Sequence, residues 1–177
     1  MDIFVEQIVK KAQDGKDTAK KVLLVVGMCL IAAVLAFVMM IVPPFSGIAL
    51  LVLCGVVYGG YYLISGCDVE YEYIVTNGEI DIDKIIAKRK RSRLITGKVS
   101  SFEAFGKYEN APEIDSSVTI VKAVGISLSG EKTEEWYADF THASAGKVRL
   151  IISAEEKVIE AIRPFLPRQL KVNLNKQ

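Results

Sequence analysis

The chain has 177 residues, with 22 Lys or Arg against 21 Asp or Glu and a formal net charge of +1, so no strong positive field points to nucleic acid. Its one histidine leaves no paired-histidine metal site, and its three cysteines, an odd number, give no disulfide framework. The positive mean hydropathy comes from two uncharged runs near the N-terminus, and the rest has ordinary soluble composition.

Residues 1–21 read as a cytoplasmic amphipathic helix. Ile3, Phe4, Ile8 and Ala12 fall near one helical face, Val5 and Val9 flank them, and Gly15 supplies a C-terminal stop. Such a helix would lie on a membrane surface or in a partner's groove.

The runs Val22–Val42 and Phe45–Ser65 lack Asp, Glu, Lys, Arg and His. A helix of about 20 residues is ~30 Å long, the hydrocarbon thickness of a bilayer. Residues 22–65 are therefore expected to form a transmembrane hairpin, broken at Pro43-Pro44. The first run is longer than a signal-peptide apolar region and leads straight into a second, so a cleaved leader is not expected. Lys10, Lys11, Lys16, Lys20 and Lys21 precede the spans and the turn has no charge. The positive-inside rule then places both termini in the cytoplasm, as a two-span protein of the cell membrane.

Cys29 and Cys54 lie in the spans and read as apolar filler, as does Cys67, although a thiol just beyond a span is also an acylation position. Gly55 and Gly59 form a GxxxG, either a dimer seam or, the favoured reading, packing against Ala32, Ala33 and Ala36 of the first span. Tyr58, Tyr61 and Tyr62 suit the aromatic belt.

Residues 66–167 read as one soluble domain. Val69, Tyr71, Tyr73 and Val75 alternate with polar residues, and Asn77-Gly78 marks a two-residue hairpin. That turn pairs Val75 with Ile80 and Tyr73 with Ile82, and sets Glu72 against Asp83. Like charges in that position repel, and the basic run from Lys88 to Arg93 is the candidate for relieving them. Further strands are expected around Val118–Ile126 with a bend at Gly125, around Trp136–Phe140 and around Val148–Ile152. The segment 97–112 fits a strand or a helical turn. Ser153 with Glu156 reads as a capping box for a last helix with the apolar stripe Val158, Ile159, Ile162 and Phe165, ending near Pro164 and Pro167. Residues 168–177, with Arg168, Lys171 and Lys176, read as a basic tail.

Many antiparallel strands followed by one helix make an α+β chain: a two-helix transmembrane hairpin, then a mostly antiparallel β domain with a C-terminal helix. This order resembles the pleckstrin-homology-like (PH-like) domains that bacteria attach to membrane hairpins. The similarity rests on Tyr73-Ile74-Val75-Thr76-Asn77-Gly78, the strand after it, and Pro164-Phe165-Leu166-Pro167. The whole chain also resembles small two-span bacterial membrane proteins of uncharacterised function, most closely over Thr76–Ile85 and the basic stretch beyond it. The resemblance implies a binding or scaffolding role and brings no catalytic residues.

The residues themselves point the same way. His142 reads as a surface residue after a strand, and no nucleophile-elbow pattern surrounds a serine. Gly130-Glu131-Lys132-Thr133 lacks the upstream glycine of a phosphate loop and reads as a turn. Glu72, Asp81 and Asp83 lack a glycine-rich ligand loop and read as a solvated strand face. No ionisable residue lies in the spans, against a proton or ion path. No catalytic, cofactor-binding or metal-binding residue is therefore expected, nor any cofactor.

The strongest candidate surface is Lys88, Arg89, Lys90, Arg91 and Arg93. Read as a strand, it places the three arginines on one face, for anionic lipid or a protein partner. A charged edge strand paired to the acidic hairpin is the competing reading. The function expected is a membrane-anchored cytoplasmic module that binds protein or lipid and is not an enzyme. The alternative is an accessory subunit of a larger membrane transporter or enzyme complex. Expected partners are membrane lipids and a membrane protein or a second copy, not nucleic acid.

Overall fold

The computed structural model describes residues 2–12, 15–130 and 133–174. The chain divides into two units, residues 13–68 and residues 1–12 together with 69–177.

The first unit is a helical hairpin. Helix α1 (Gly15–Ile41) and helix α2 (Ser46–Ser65) are joined by a 3-10 turn over Pro43–Phe45, where proline cannot continue the α1 ladder. Both helices are long and apolar enough to cross a membrane. Gly15 does not stop a helix but begins one. The lysine-rich segment after it has good helix formers, and Asp17 in the first turn complements the helix dipole. Lys21 Nζ reaches Asp68 Oδ1 at 2.9 Å, tying the start of the first apolar run to the segment just after α2.

Among the described residues, the second unit holds nine strands in two sheets. Strands β1 (Phe4–Lys11), β2 (Val69–Thr76), β3 (Glu79–Ile86), β4 (Lys90–Lys98) and β7 (Gly125–Ser127) form one sheet in the order β4-β3-β2-β1-β7. Strands β5 (Phe102–Lys107), β6 (Thr119–Ala123), β8 (Glu134–His142) and β9 (Gly146–Ala154) form the other in the order β5-β8-β9-β6. The pairing of β6 with β9 is parallel and the rest are antiparallel. Helix α3 (Glu156–Ile162), a 3-10 turn and helix α4 (Arg168–Leu174) close the chain. The expected mostly antiparallel domain with a C-terminal helix is thus observed.

The core lies between the sheets. Val9, Tyr71, Tyr73, Val75, Ile80 and Ile82 face Phe102, Phe140, Val148 and Leu150, and α3 adds Val158 and Ile162. Phe102 stacks on Phe140 with centroids 5.4 Å apart, and Phe105 stacks on Trp136 at 5.3 Å. Asn77 and Gly78, with φ of 47° and 86°, make the expected tight turn, and the Phe165 ring packs where a Cβ on Gly78 would lie.

Several expectations are overturned. Residues 4–11 are a strand, not part of an amphipathic helix, and belong to the β domain rather than to a separate N-terminal segment. Val5, Gln7 and Val9 point inward on a period of two, and the polar Gln7 in that row hides the alternation. The folded domain is consequently 1–12 with 69–177, not 66–167 alone, and the hairpin is an insertion between neighbouring strands. Residues 168–174 of the expected tail are helical, while Lys176 lies outside the described residues. Ser153 is no helix cap: it sits in β9, its hydroxyl accepts the Gly125 N–H at 3.1 Å, and Glu155 is the N-cap residue. The Val118–Ile126 segment splits at Val124 into two strands of different sheets, leaving Ile120 and Ile126 exposed. Gly125 is required there, since a Cβ would lie 2.3 Å from the Lys10 carbonyl oxygen.

Candidate interaction surface

The basic run is not one strand. The Arg89 N–H bonds the Ile86 carbonyl at 3.0 Å across Ala87-Lys88, both with φ of 54°, and β4 begins only at Lys90. Lys88 and Arg89 therefore occupy a tight turn, whereas Arg91 and Arg93 lie on the outer face of the sheet. That face carries Glu70 and Glu72 from β2, and Asp81 and Asp83 from β3.

Glu72 stands opposite Asp83, as the hairpin register requires, and Asp83 stands opposite Arg93. Arg93 Nε binds Asp83 and its Nη1 lies 2.7 Å from Asp81 Oδ1. Arg91 Nη2 donates to Glu72 Oε1 at 2.8 Å. Glu72 and Asp83 are buried beneath these guanidinium groups although they face away from the core. Burial raises the Glu72 carboxyl above the ordinary range, helped by a hydrogen bond with Glu6 and the charges of Glu6 and Asp83, against the pull of Arg91. The Asp83 hydrogen bond in turn raises the Arg93 guanidinium. These two arginines thus serve the fold as partners of buried carboxylates.

The turn is different. Lys88 is 80 % exposed, its ammonium 4.0 Å from Glu70, and Lys90 is exposed beside it. The register fixes where this turn lies. Ile86 pairs with Val69 and with Lys90, Glu70 pairs with Lys10, and Lys11 pairs with Gly125. The Lys88-Arg89 turn, Lys10, Lys11 and Ile126 therefore share one end of the sheet. From this end the chain leaves β1 toward α1, and to it the chain returns from α2 into β2.

A second concave feature lies between β8, β9 and α3, a groove of about 360 Å³ floored by Trp136 and rimmed by Glu134, Glu156, Glu160 and Arg163. On the other face of β9, Arg149 makes a two-pronged bond to Asp139 at 2.6 and 2.5 Å, donates to the Pro112 carbonyl at 2.6 Å and stacks on Tyr137. It pins the segment before β6 rather than offering a ligand site.

His142 ends β8, where its Nδ1 accepts the Ser144 N–H at 3.3 Å. Gly130 and Thr133 flank a pair, Glu131-Lys132, that lies outside the described residues. No cluster of metal-ligating side chains occurs among the described residues. In the hairpin, the close approach of α1 and α2 falls at Gly60, where a Cβ would overlap the Met28 side chain. Gly59 lines the cleft between α1 and α2 together with Leu24, Gly27, Met28 and Ile31, whereas Gly55 is exposed and a Cβ on it would meet nothing within 4 Å.

No curated protein and no solved structure matches this chain. A sequence model described as "Bacterial PH-like domain (DUF6106)" matches residues 1–172, taking in the N-terminal strand, both apolar helices and the two sheets, and the chain belongs to that family.

Proposed function

We propose that the protein is a membrane-anchored cytoplasmic interaction module whose basic sheet end engages anionic lipid headgroups. PH-like domains are common protein- or lipid-binding modules. The observation that carries the reading is the Lys88-Arg89-Lys90 turn at the sheet end that leads to the hairpin. Val69 follows Ser65, the last residue of the second apolar helix, by four residues, which reach at most about 14 Å. The headgroup layer beyond the hydrocarbon is about 5–8 Å deep on each side. The turn is therefore tethered within reach of lipid phosphates, where each lysine or arginine gains ~1 kcal/mol on an anionic surface.

Pairing of β1 with β2 supports a hairpin whose two ends lie on one side of the membrane. Five preceding lysines and an uncharged turn support the cytoplasm as that side. A cysteine at Ser46, in a protein freed of its three native cysteines, should react with an impermeant reagent added to intact cells. One at Ser144 should not, and the reverse pattern would overturn the orientation.

A second reading, an accessory subunit of a larger membrane complex, is favoured by the open surface at Gly55, which would admit a further helix. A stoichiometric membrane protein retained in mild detergent, and lost with Gly55→Leu, would support it.

A further inference from the structure

We infer that the β7 corner, Ile126 with Leu128, is a second foothold on the lipid surface, so that the β domain stands on the bilayer by the end of one sheet. The inference rests on the headgroup reading above but uses different residues and a different force.

Ile126 is 70 % exposed and Leu128 54 %, large fractions for aliphatic side chains on a folded domain. Their exposure is built in. Ser127 between them turns inward to bind the buried Glu155, which directs both neighbours outward. The Leu128 N–H extends the ladder by bonding the Ile8 carbonyl at 3.2 Å. Ile126 stands opposite Lys10, which stands opposite Glu70, one residue from the start of β2. Ile126 is thus two strand spacings, about 10 Å, from the strand that emerges from α2.

The order β4-β3-β2-β1-β7 then gives this sheet end three parts. The basic turn between β3 and β4 lies at one side and the apolar corner at the other, about 14–19 Å apart over three to four strand spacings, with the two connections to the hairpin between them. Lys10 and Lys11 beside Ile126 give the corner the mix of apolar and cationic side chains that suits a bilayer interface. The lipid surface is the occupant because β2, two strand spacings from Ile126, begins four residues after α2 ends, whereas an exposed side chain at the opposite end, such as Phe4, lies about 20 Å further along β1.

The test uses the full chain in nanodiscs of phosphatidylcholine with a minor share of phosphatidylglycerol. The native cysteines Cys29, Cys54 and Cys67 are replaced by alanine, and single fluorophores are placed through Ile126→Cys, Leu128→Cys, Lys88→Cys or Phe4→Cys. Quenching by a lipid carrying a shallow nitroxide is read, with Trp136 emission as the check that the domain is folded. Labels at 126 and 128 should be quenched several-fold more than at Phe4, and should stay quenched in high salt, as an apolar contact does. If both are quenched no more than Phe4 while the label at 88 is quenched, the corner is not a foothold and the headgroup reading stands. If 126 and 128 are quenched and 88 is not, the corner stands and the basic turn is not the lipid contact. If none exceeds Phe4, both fail.

Discussion

The backbone N–H of Glu155, which begins the last part of the chain, donates to the side-chain carbonyl of Gln7 at 2.9 Å, across 148 residues of sequence. The same amide donates from Nε2 to the Ser153 carbonyl at 3.0 Å. Beside it the Tyr73 hydroxyl bonds the Ala123 carbonyl and accepts the Ser153 N–H at 3.2 Å. A polar belt thus crosses an otherwise apolar core and locks the N-terminal strand onto the start of α3. Gln7 lies in the core row of β1 because it fills this belt.

Replacing Gln7 with Leu should cost roughly 1–3 kcal/mol, because it leaves the buried Glu155 N–H without its acceptor. Trp136, the one tryptophan, reports unfolding of this domain in urea. An unchanged midpoint would show that the belt is not structural.

Ile162→Ala should cost about 2–5 kcal/mol by the same measurement. The side chain is fully buried between α3 and both sheets, and its loss leaves a cavity.

The buried Glu155 carboxylate predicts an acid limb in the stability profile. Burial opposes ionisation of Glu155, but hydrogen bonds from Lys157, Ser127 and Ser129 and the Lys157 charge outweigh it, lowering the carboxyl to about 2 from 4.5. A depressed carboxyl contributes stability above its unfolded value and loses it as pH falls through the folded value. The contribution, roughly 1–3 kcal/mol after allowing for the exposed Lys157 end, should be present above pH ~4.5 and vanish toward pH ~2. Glu155→Gln should flatten that limb in acid titrations read by Trp136 emission.

The basic residues should separate into two classes. Arg93→Gln should destabilise by about 1–3 kcal/mol, since it strips the hydrogen-bonded partner from a buried Asp83. Lys88→Gln with Lys90→Gln should change stability by less than about 0.5 kcal/mol, as exposed side chains do. The same pair should cut affinity for anionic vesicles about tenfold or more.

Much of this fold was legible in the residues. Asn77-Gly78 dictated both the turn and the register that faces Glu72 with Asp83, and the two uncharged runs marked both helices, although α1 begins at Gly15, well before the first run. What stayed hidden depends on partners far away in sequence. A central strand at residues 4–11 looks weakly helical because Gln7 interrupts its apolar row, and the residues that satisfy Gln7 lie beyond position 150. The splitting of the basic run was equally invisible: Ala87 and Lys88 adopt positive φ without the usual Asn or Gly, and only the resulting register shows which cations meet acids. The parallel β6–β9 pairing carries no local signal.

The inserted hairpin makes a sharp prediction about folding. Residues 69–174 alone lack the strand between β2 and β7, so the fragment should be unfolded or aggregated. Because Lys10 pairs with Glu70, residues 1–11 joined to 69–177 through Asn-Gly should close a two-residue hairpin and fold as a soluble β protein. Circular dichroism and a cooperative thermal transition distinguish the two.

That hairpin-free domain also permits the most direct test of a lipid-engaging sheet end, which is co-sedimentation with phosphatidylglycerol vesicles as salt is raised. The account predicts binding at low ionic strength that weakens steeply toward physiological salt, where the Debye length is ~8 Å. It also predicts that Lys88→Gln with Lys90→Gln weakens the low-salt binding about tenfold or more. A folded domain that stays in the supernatant even at low salt would contradict it.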